Sequence, residues 1–208
     1  MTSEDLVVAV FDALAALGVP FMVSGSLASN FYGVPRATQV VDLVLDFTRL
    51  PVDAFAASLA GTFDVDRQAG FESVTGSVRL VGRARQAPFD VELFGLTDDV
   101  HDVERYARRR FVNVLARTVA LPTAEDVVIN KLRWFKLAGR RKDFDDARNV
   151  IAVQQPALDR ATSSDGASRW ISIPCSWRPS GCNVRRRRGR RAQCAAVFPR
   201  ISNNARTP

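Results

Sequence analysis

The sequence predicts an α/β chain through residue 156, on three observations. Apolar residues near the start recur at spacings of three and four, as on the inner face of a helix. Further on, short β-branched runs alternate with such helical stretches and read as buried strands. Beyond Pro156 both periodicities stop. The 208 residues are 47% hydrophobic, enough for one packed core. No run approaches the roughly 18 to 20 apolar residues of a membrane span. Met1 is followed by Thr-Ser-Glu-Asp rather than a basic segment and an apolar signal core, so a soluble, cytoplasmic chain without a membrane partner is expected.

Taken in order, residues 4–17 place Leu6, Val7, Val10, Leu14 and Leu17 on one helical face, with Gly18 and Pro20 as the stop. Residues 21–23 read as a short buried strand, Ser24-Gly25-Ser26 as a tight turn, and 27–32 as a helix ended by Gly33 and Pro35. A buried strand follows at 40–45, a helix at 51–59 and a strand at 63–65. Strands are predicted at 71–80 and 89–94, separated by a polar, arginine-containing turn. The charged segment 102–110 reads as helical and precedes a short strand at 119–121. Pro122 then breaks the pattern, Thr123 caps a helix running to about residue 137, and a last helix spans 143–153.

The net charge of +7 is unevenly placed. Residues 161–208 hold ten Arg, no Lys and one acid, Asp165, for +9, which leaves the first 160 residues at −2. Cys175, Cys182 and Cys194 lie in the same stretch at spacings that fit neither a disulfide framework nor a zinc site. Residues 157–208 therefore read as a disordered, Arg-rich tail. Two origins fit it: a basic RNA-attracting arm, or translation in an altered frame, which the cysteines and tryptophans beside the arginines favour.

Three features carry chemistry. Ser24-Gly25-Ser26 joins a strand to a helix, where free N–H groups and the helix dipole favour an anion and small side chains let a phosphate approach. A purely structural turn reads the same way. Asp42 lies on a buried strand, on the face opposite Val41, Leu43 and Leu45, and an ionised carboxylate there needs a partner such as a divalent cation. Asp90 and Glu92 repeat the arrangement on a second strand, although either alone also fits the solvated face of an edge strand. Lys131 falls inside an apolar arc, within about 60° of Val127, Val128, Trp134 and Phe135, whereas Arg133 and Lys136 lie about 140° to 200° away. Such a lysine either snorkels to the rim or reaches negative charge in a site. His101, in an acidic stretch, reads as a surface residue.

In this order the residues resemble a known family. Val23-Ser24-Gly25-Ser26, then Arg36-Ala37-Thr38, then residues 41–46 resemble the first motif of minimal nucleotidyltransferases of the DNA polymerase beta superfamily, in particular the AbiEii-type toxin group. Residues 89–94 look like the strand with the further metal-binding carboxylate, 123–132 like the helix with the family lysine, and 141–146 like the terminal motif with acids three residues apart. The resemblance covers residues 5 to 155. It implies a nucleotidyltransferase fold (α+β), a small mixed sheet flanked by helices.

The chemistry it implies is transfer of a nucleoside monophosphate from an NTP to a hydroxyl, with Mg²⁺ as cofactor. Ser24, Gly25, Ser26, Arg36, Thr38 and Lys131 would bind nucleotide, and Asp42, Asp90 and Glu92 would hold metal. Asp42, Asp90, Lys131, Asp143 and Asp146 would form the catalytic set. A tRNA end or a partner protein's hydroxyl is the implied acceptor, with a toxin–antitoxin pair as the setting. One position departs from the family: Val40 stands where Asp is usual, two residues before Asp42 on the same face. Losing that ligand weakens metal binding, and the alternative reading is a degenerate, non-catalytic nucleotide- or partner-binding protein.

Overall fold

Thr2 and Asp5 start the first helix by exchanging bonds: the Asp5 amide donates to Thr2 Oγ1 at 3.1 Å and the Thr2 amide to Asp5 Oδ2 at 2.7 Å. In this computed structural model, which describes residues 1–154 and Leu158, α1 (Ser3–Ala16) leads through Gly18 into β1 (Phe21–Val23) and α2 (Gly25–Tyr32). Then come β2 (Val40–Leu45), a 3₁₀ turn, α3 (Val52–Ser58), β3 (Phe63–Val65), β4 (Gly70–Phe71), β5 (Val78–Ala84) and β6 (Asp90–Gly95). Helix α4 (Val100–Ala107), the hairpin β7 (Arg110–Val114) and β8 (Arg117–Leu121), α5 (Ala124–Ala138) and α6 (Arg141–Gln154) follow.

The strands form one eight-stranded mixed sheet in the order β3-β5-β6-β2-β1-β8-β7, with β4 attached to β5. Strands β2 and β6 run parallel, as do β1 and β8; the other pairs are antiparallel. Alternation along the strands separates two faces. Val41, Leu43, Leu45, Val91, Leu93 and Leu80 point to a core completed by Val10, Phe11 and Leu14 of α1 and Phe55 of α3. Each such buried side chain contributes about 1.5–3 kcal/mol, which fixes the register of β2 on β6. The opposite face carries Met22, Val44 and Ala120, with Phe94 and Tyr106 packed on them. Helices α2, α5 and α6 share a separate apolar cluster built on Ala28, Val127, Val128, Leu132, Ala147 and Val150. This is the α/β architecture expected from the sequence.

Three local expectations are corrected. The predicted strand 71–80 is broken, because Glu72 accepts hydrogen bonds from the Val74 and Thr75 amides and the Thr75 hydroxyl and so folds a turn ahead of β5. Strand β5 instead runs on to Ala84, through residues read as a polar turn. Its period of two is disguised by Gly82 and by the arginines at 79 and 83. Strand β7 was not expected at all: its hairpin turns through Leu115 and Ala116 at φ +50° and +57°, a conformation that neither residue advertises. Among the described residues no helix is long and apolar enough to cross a membrane. The expected tail lies outside the described residues, Leu158 apart.

Candidate active site

Strand β1 leaves the sheet at Ser24, whose amide donates to the Asp42 carbonyl at 2.8 Å. Ser24 occupies the N-cap of α2 and makes no side-chain capping bond among the described residues. Gly25 follows at φ +58°, and a Cβ built on it would lie 1.7 Å from Asp42 Oδ2. Only glycine fits under the carboxylate, for both the backbone and the space. The Ser26 backbone N–H donates to that same carboxylate. The turn expected to cradle an anion therefore already faces an acid of this chain, and a phosphate approaching it requires positive charge between the two.

Asp42 of β2 pairs in register with Glu92 of β6, and Val40 with Asp90, so all three acids share one face. Strand β5 adds two arginines to that face. Arg79 Nη2 reaches Glu92 Oε1 at 2.9 Å, and Arg83 stands in register with Asp90. Burial pushes the Asp42 carboxyl up, against the pull of Lys131 and the Ser26 amide. Burial and the neighbouring Asp42 charge also raise Glu92, in spite of Arg79.

Asp42 and Glu92 are adjacent and only partly compensated, Glu92 by Arg79 and Asp42 by the more distant Lys131 and the Ser26 amide, so the pair could hold a divalent cation. Among the described residues no three His, Cys, Asp or Glu side chains converge as a metal cluster. Asp42 and Glu92 are thus the two carboxylates that could hold such an ion, which would need water or substrate oxygens for its remaining ligands.

The remaining sequence-predicted residues gather behind the turn as a buried ion network. Lys131 Nζ lies 3.0 Å from Asp143 Oδ1 and 2.8 Å from Asp146 Oδ2, with all three side chains buried. Arg36 grips Asp146 with both arms at 2.8 Å and donates to Ser26 Oγ at 2.9 Å. Arg140 Nε donates to Asp143 at 2.7 Å. Burial opposes ionisation of Asp146, but the bonds from Arg36 and Lys131 prevail and hold its pKa down, to about 2. Lys131 thus neither snorkels nor stands free; it meets negative charge supplied by α6. Thr38 uses its hydroxyl on the backbone of Val40 and fixes the start of β2.

Beside the turn lies a cavity of about 350 Å³, bounded by Ser24, the 75–77 turn, Phe94, Thr97, the start of α4, and Asn130 and Trp134 of α5. Asp98, Asp99 and Asp102 lie on its wall with Arg105 and Arg133. Arg133 pairs with Asp99 at 3.2 Å and Arg105 with Asp102 at 2.9 Å. His101 is corrected here: it is buried on the inner side of α4, where burial and Arg105 lower its pKa. Sequence reasoning missed Arg79, Arg105 and Arg133. The alternation of Arg79 with Leu80 was the one available signal.

No family model matches the chain, and no curated protein matches it. Solved structures match its fold. The solution structure of the antibiotic-resistance factor ANT(2'')-Ia aligns with a TM-score of 0.57 at 12% identity, over 80% of this chain and 92% of that one. The crystal structure of ANT(2'')-Ia in complex with adenylyl-2''-tobramycin aligns at 0.55 and 12% identity, over 82% and 100%. An antigenic nucleotidyltransferase-like protein from Paracoccidioides brasiliensis aligns at 0.53 and 19% identity, over 80% and 86%. At such identities the likeness is one of fold: the chain has the nucleotidyltransferase fold.

Proposed function

We propose that this chain transfers a nucleoside monophosphate from an NTP to an acceptor hydroxyl, releasing pyrophosphate. The observation that carries the reading is the pairing of Asp42 with Glu92 directly beside a glycine-opened helix start. Asp42 and Glu92 would hold Mg²⁺, with Asp90 one pleat away on the same face. The bound ion supplies charge that draws the phosphates toward the acids and polarises the phosphoryl group. Because the Ser24 and Ser26 amides already serve Asp42, the Gly25 amide and Ser26 Oγ, which Arg36 holds in place, would meet the phosphates. Lys131, Asp143 and Asp146 act behind these groups as positioning residues, keeping Arg36 and the turn fixed.

The cavity beside Ser24 receives the acceptor. Its three aspartates against two arginines suit a neutral or cationic hydroxyl-bearing group. That favours a partner protein's hydroxyl, or a small molecule of the kind adenylylated in the ANT(2'')-Ia complex, over a phosphate-rich tRNA end. A toxin paired with a cognate antitoxin is the setting that the AbiEii-type motifs support.

The test is incubation of the purified full chain with each α-labelled NTP and Mg²⁺, together with total tRNA, the products of neighbouring genes, or small aminated polyols. Label on an acceptor with matching pyrophosphate release is the expected result. The second reading, a degenerate nucleotide-binding protein, is favoured by Val40 and requires Mg-nucleotide binding with no pyrophosphate released.

A further inference from the structure

The acid face of the sheet contains a cation of its own. Arg79 leaves β5 on the same face as Asp42 and Glu92, because it lies two residues from Val81, the register partner of Glu92. Its Nη2 takes Glu92 Oε1 at 2.9 Å, with both side chains partly buried. Its Nε is buried and meets no hydrogen-bond acceptor among the described residues. A donor left unpaired in this way costs free energy that a different placement of the guanidinium would recover. Val40, two residues before Asp42 on the same face and opposite Asp90, adds no carboxylate to reinforce an ion there.

We propose that Arg79 is a built-in counter-cation that competes with the divalent ion for Glu92 and so keeps the site from loading metal by itself. In the free protein the guanidinium neutralises Glu92. An ion arriving alone has to displace Arg79 and is left with Asp42 and Glu92 as its ligands. An ion arriving on a triphosphate brings its own oxygen ligands, and the added phosphate charge offers Arg79 a new acceptor. The site thus loads metal and nucleotide together. This second half rests on the nucleotidyltransferase reading; the competition for Glu92 does not.

The decisive measurement is titration of the full chain with Mn²⁺ alone, without nucleotide, followed by calorimetry or by the electron paramagnetic resonance of free Mn²⁺. Arg79→Met is expected to bind Mn²⁺ about tenfold more tightly than the native chain, the scale of removing one partly exposed charge-assisted pair. Arg79→Lys, which retains the charge without the planar fork, falls between them. On a Glu92→Gln background, Arg79→Met brings no such gain. The Mn²⁺-nucleotide complex binds Arg79→Met more weakly than the native chain. Circular dichroism checks that each variant is folded, and Arg79→Lys carries the test if Arg79→Met is not.

Equal or weaker Mn²⁺ affinity in the folded Arg79 variants overturns the proposal. So does a gain that persists without Glu92, or an absence of Mn²⁺ binding in every variant. Because no NTP is present, a chain that fails to turn over nucleotide yet shows the Arg79 effect refutes the transferase reading and leaves the competition standing.

Discussion

Asp42 lies where a side chain on residue 25 would have to go: Oδ2 is 1.7 Å from the position of a Gly25 Cβ. Gly25→Ala should therefore fail twice. The positive φ costs about 1 kcal/mol, and the Asp42 carboxylate must swing away from Glu92 and the Ser26 amide. The expected outcome is a lowered thermal midpoint together with loss of metal-nucleotide binding. Adding Asp42→Ala to Gly25→Ala should restore part of the stability and none of the binding, as a double-mutant cycle in unfolding free energy will show.

Lys131→Met leaves Asp143 and Asp146 buried with one cation fewer, a loss on the order of 3–5 kcal/mol. Lys136→Met, on the exposed side of the same helix, should stay within about 0.5 kcal/mol. Urea unfolding of the two variants checks this. Equal, small effects would favour the reading in which Lys131 snorkels to the rim.

The Asp146 carboxylate, held down to about 2, gives the fold a stabilising contribution that depends on acid. Its folded pKa lies below the unfolded one, so the contribution is complete above about pH 4 and disappears as pH falls toward 2. Asp146→Asn should accordingly be less stable than the native chain by about 2 kcal/mol at pH 6, and the gap should close between pH 4 and pH 2. Denaturant melts across that range measure it.

Asp42 behaves in the opposite sense. Burial raises its pKa, so its charged form costs stability that grows as pH rises through the folded value. Asp42→Asn should be more stable than the native chain at neutral pH and should lose metal-dependent nucleotide binding.

Val40→Asp tests the same face from the other direction. Placed opposite Asp90 and two residues from Asp42, the new carboxylate should lower the melting temperature without metal and raise it with Mn²⁺. If transfer is limited by the missing ligand, pyrophosphate release should rise as well.

How much of this the sequence carried depended on whether the signal was periodic. Strand β2 and strand β6 announced their acids because charged residues, Asp42 in the one and Asp90 and Glu92 in the other, interrupt otherwise apolar runs, and α5 announced Lys131 because the helical wheel surrounds it with Val127, Val128 and Phe135. What periodicity could not supply was the partner. Whether Lys131 met a ligand or the chain's own acids depended on how α6 packs on α5, and Asp143 and Asp146 lie 12 and 15 residues further along. Strand β5 was only partly anticipated, its predicted end falling at residue 80, since Gly82 interrupts the apolar face and Arg83 the other. Strand β7 escaped because an edge strand with Arg110, Phe111 and Asn113 exposed needs no alternation of its own. His101 was misread because its acidic neighbourhood conceals that α4 turns residue 101, and Arg105 one turn on, inward.

The grip of Asp146 on Arg36 spans 110 residues, from the loop before β2 to the last helix. In time rather than space, the glycine turn is among the first parts of the chain to be synthesised, and its side-chain tie to α6 is among the last to form. A nascent chain emerging from the ribosome has its glycine turn and both acidic strands long before residue 146 appears, yet Arg36 and Lys131 then lack their counter-charges. The ion network around Arg36 and Lys131 therefore closes in one step, when α6 docks.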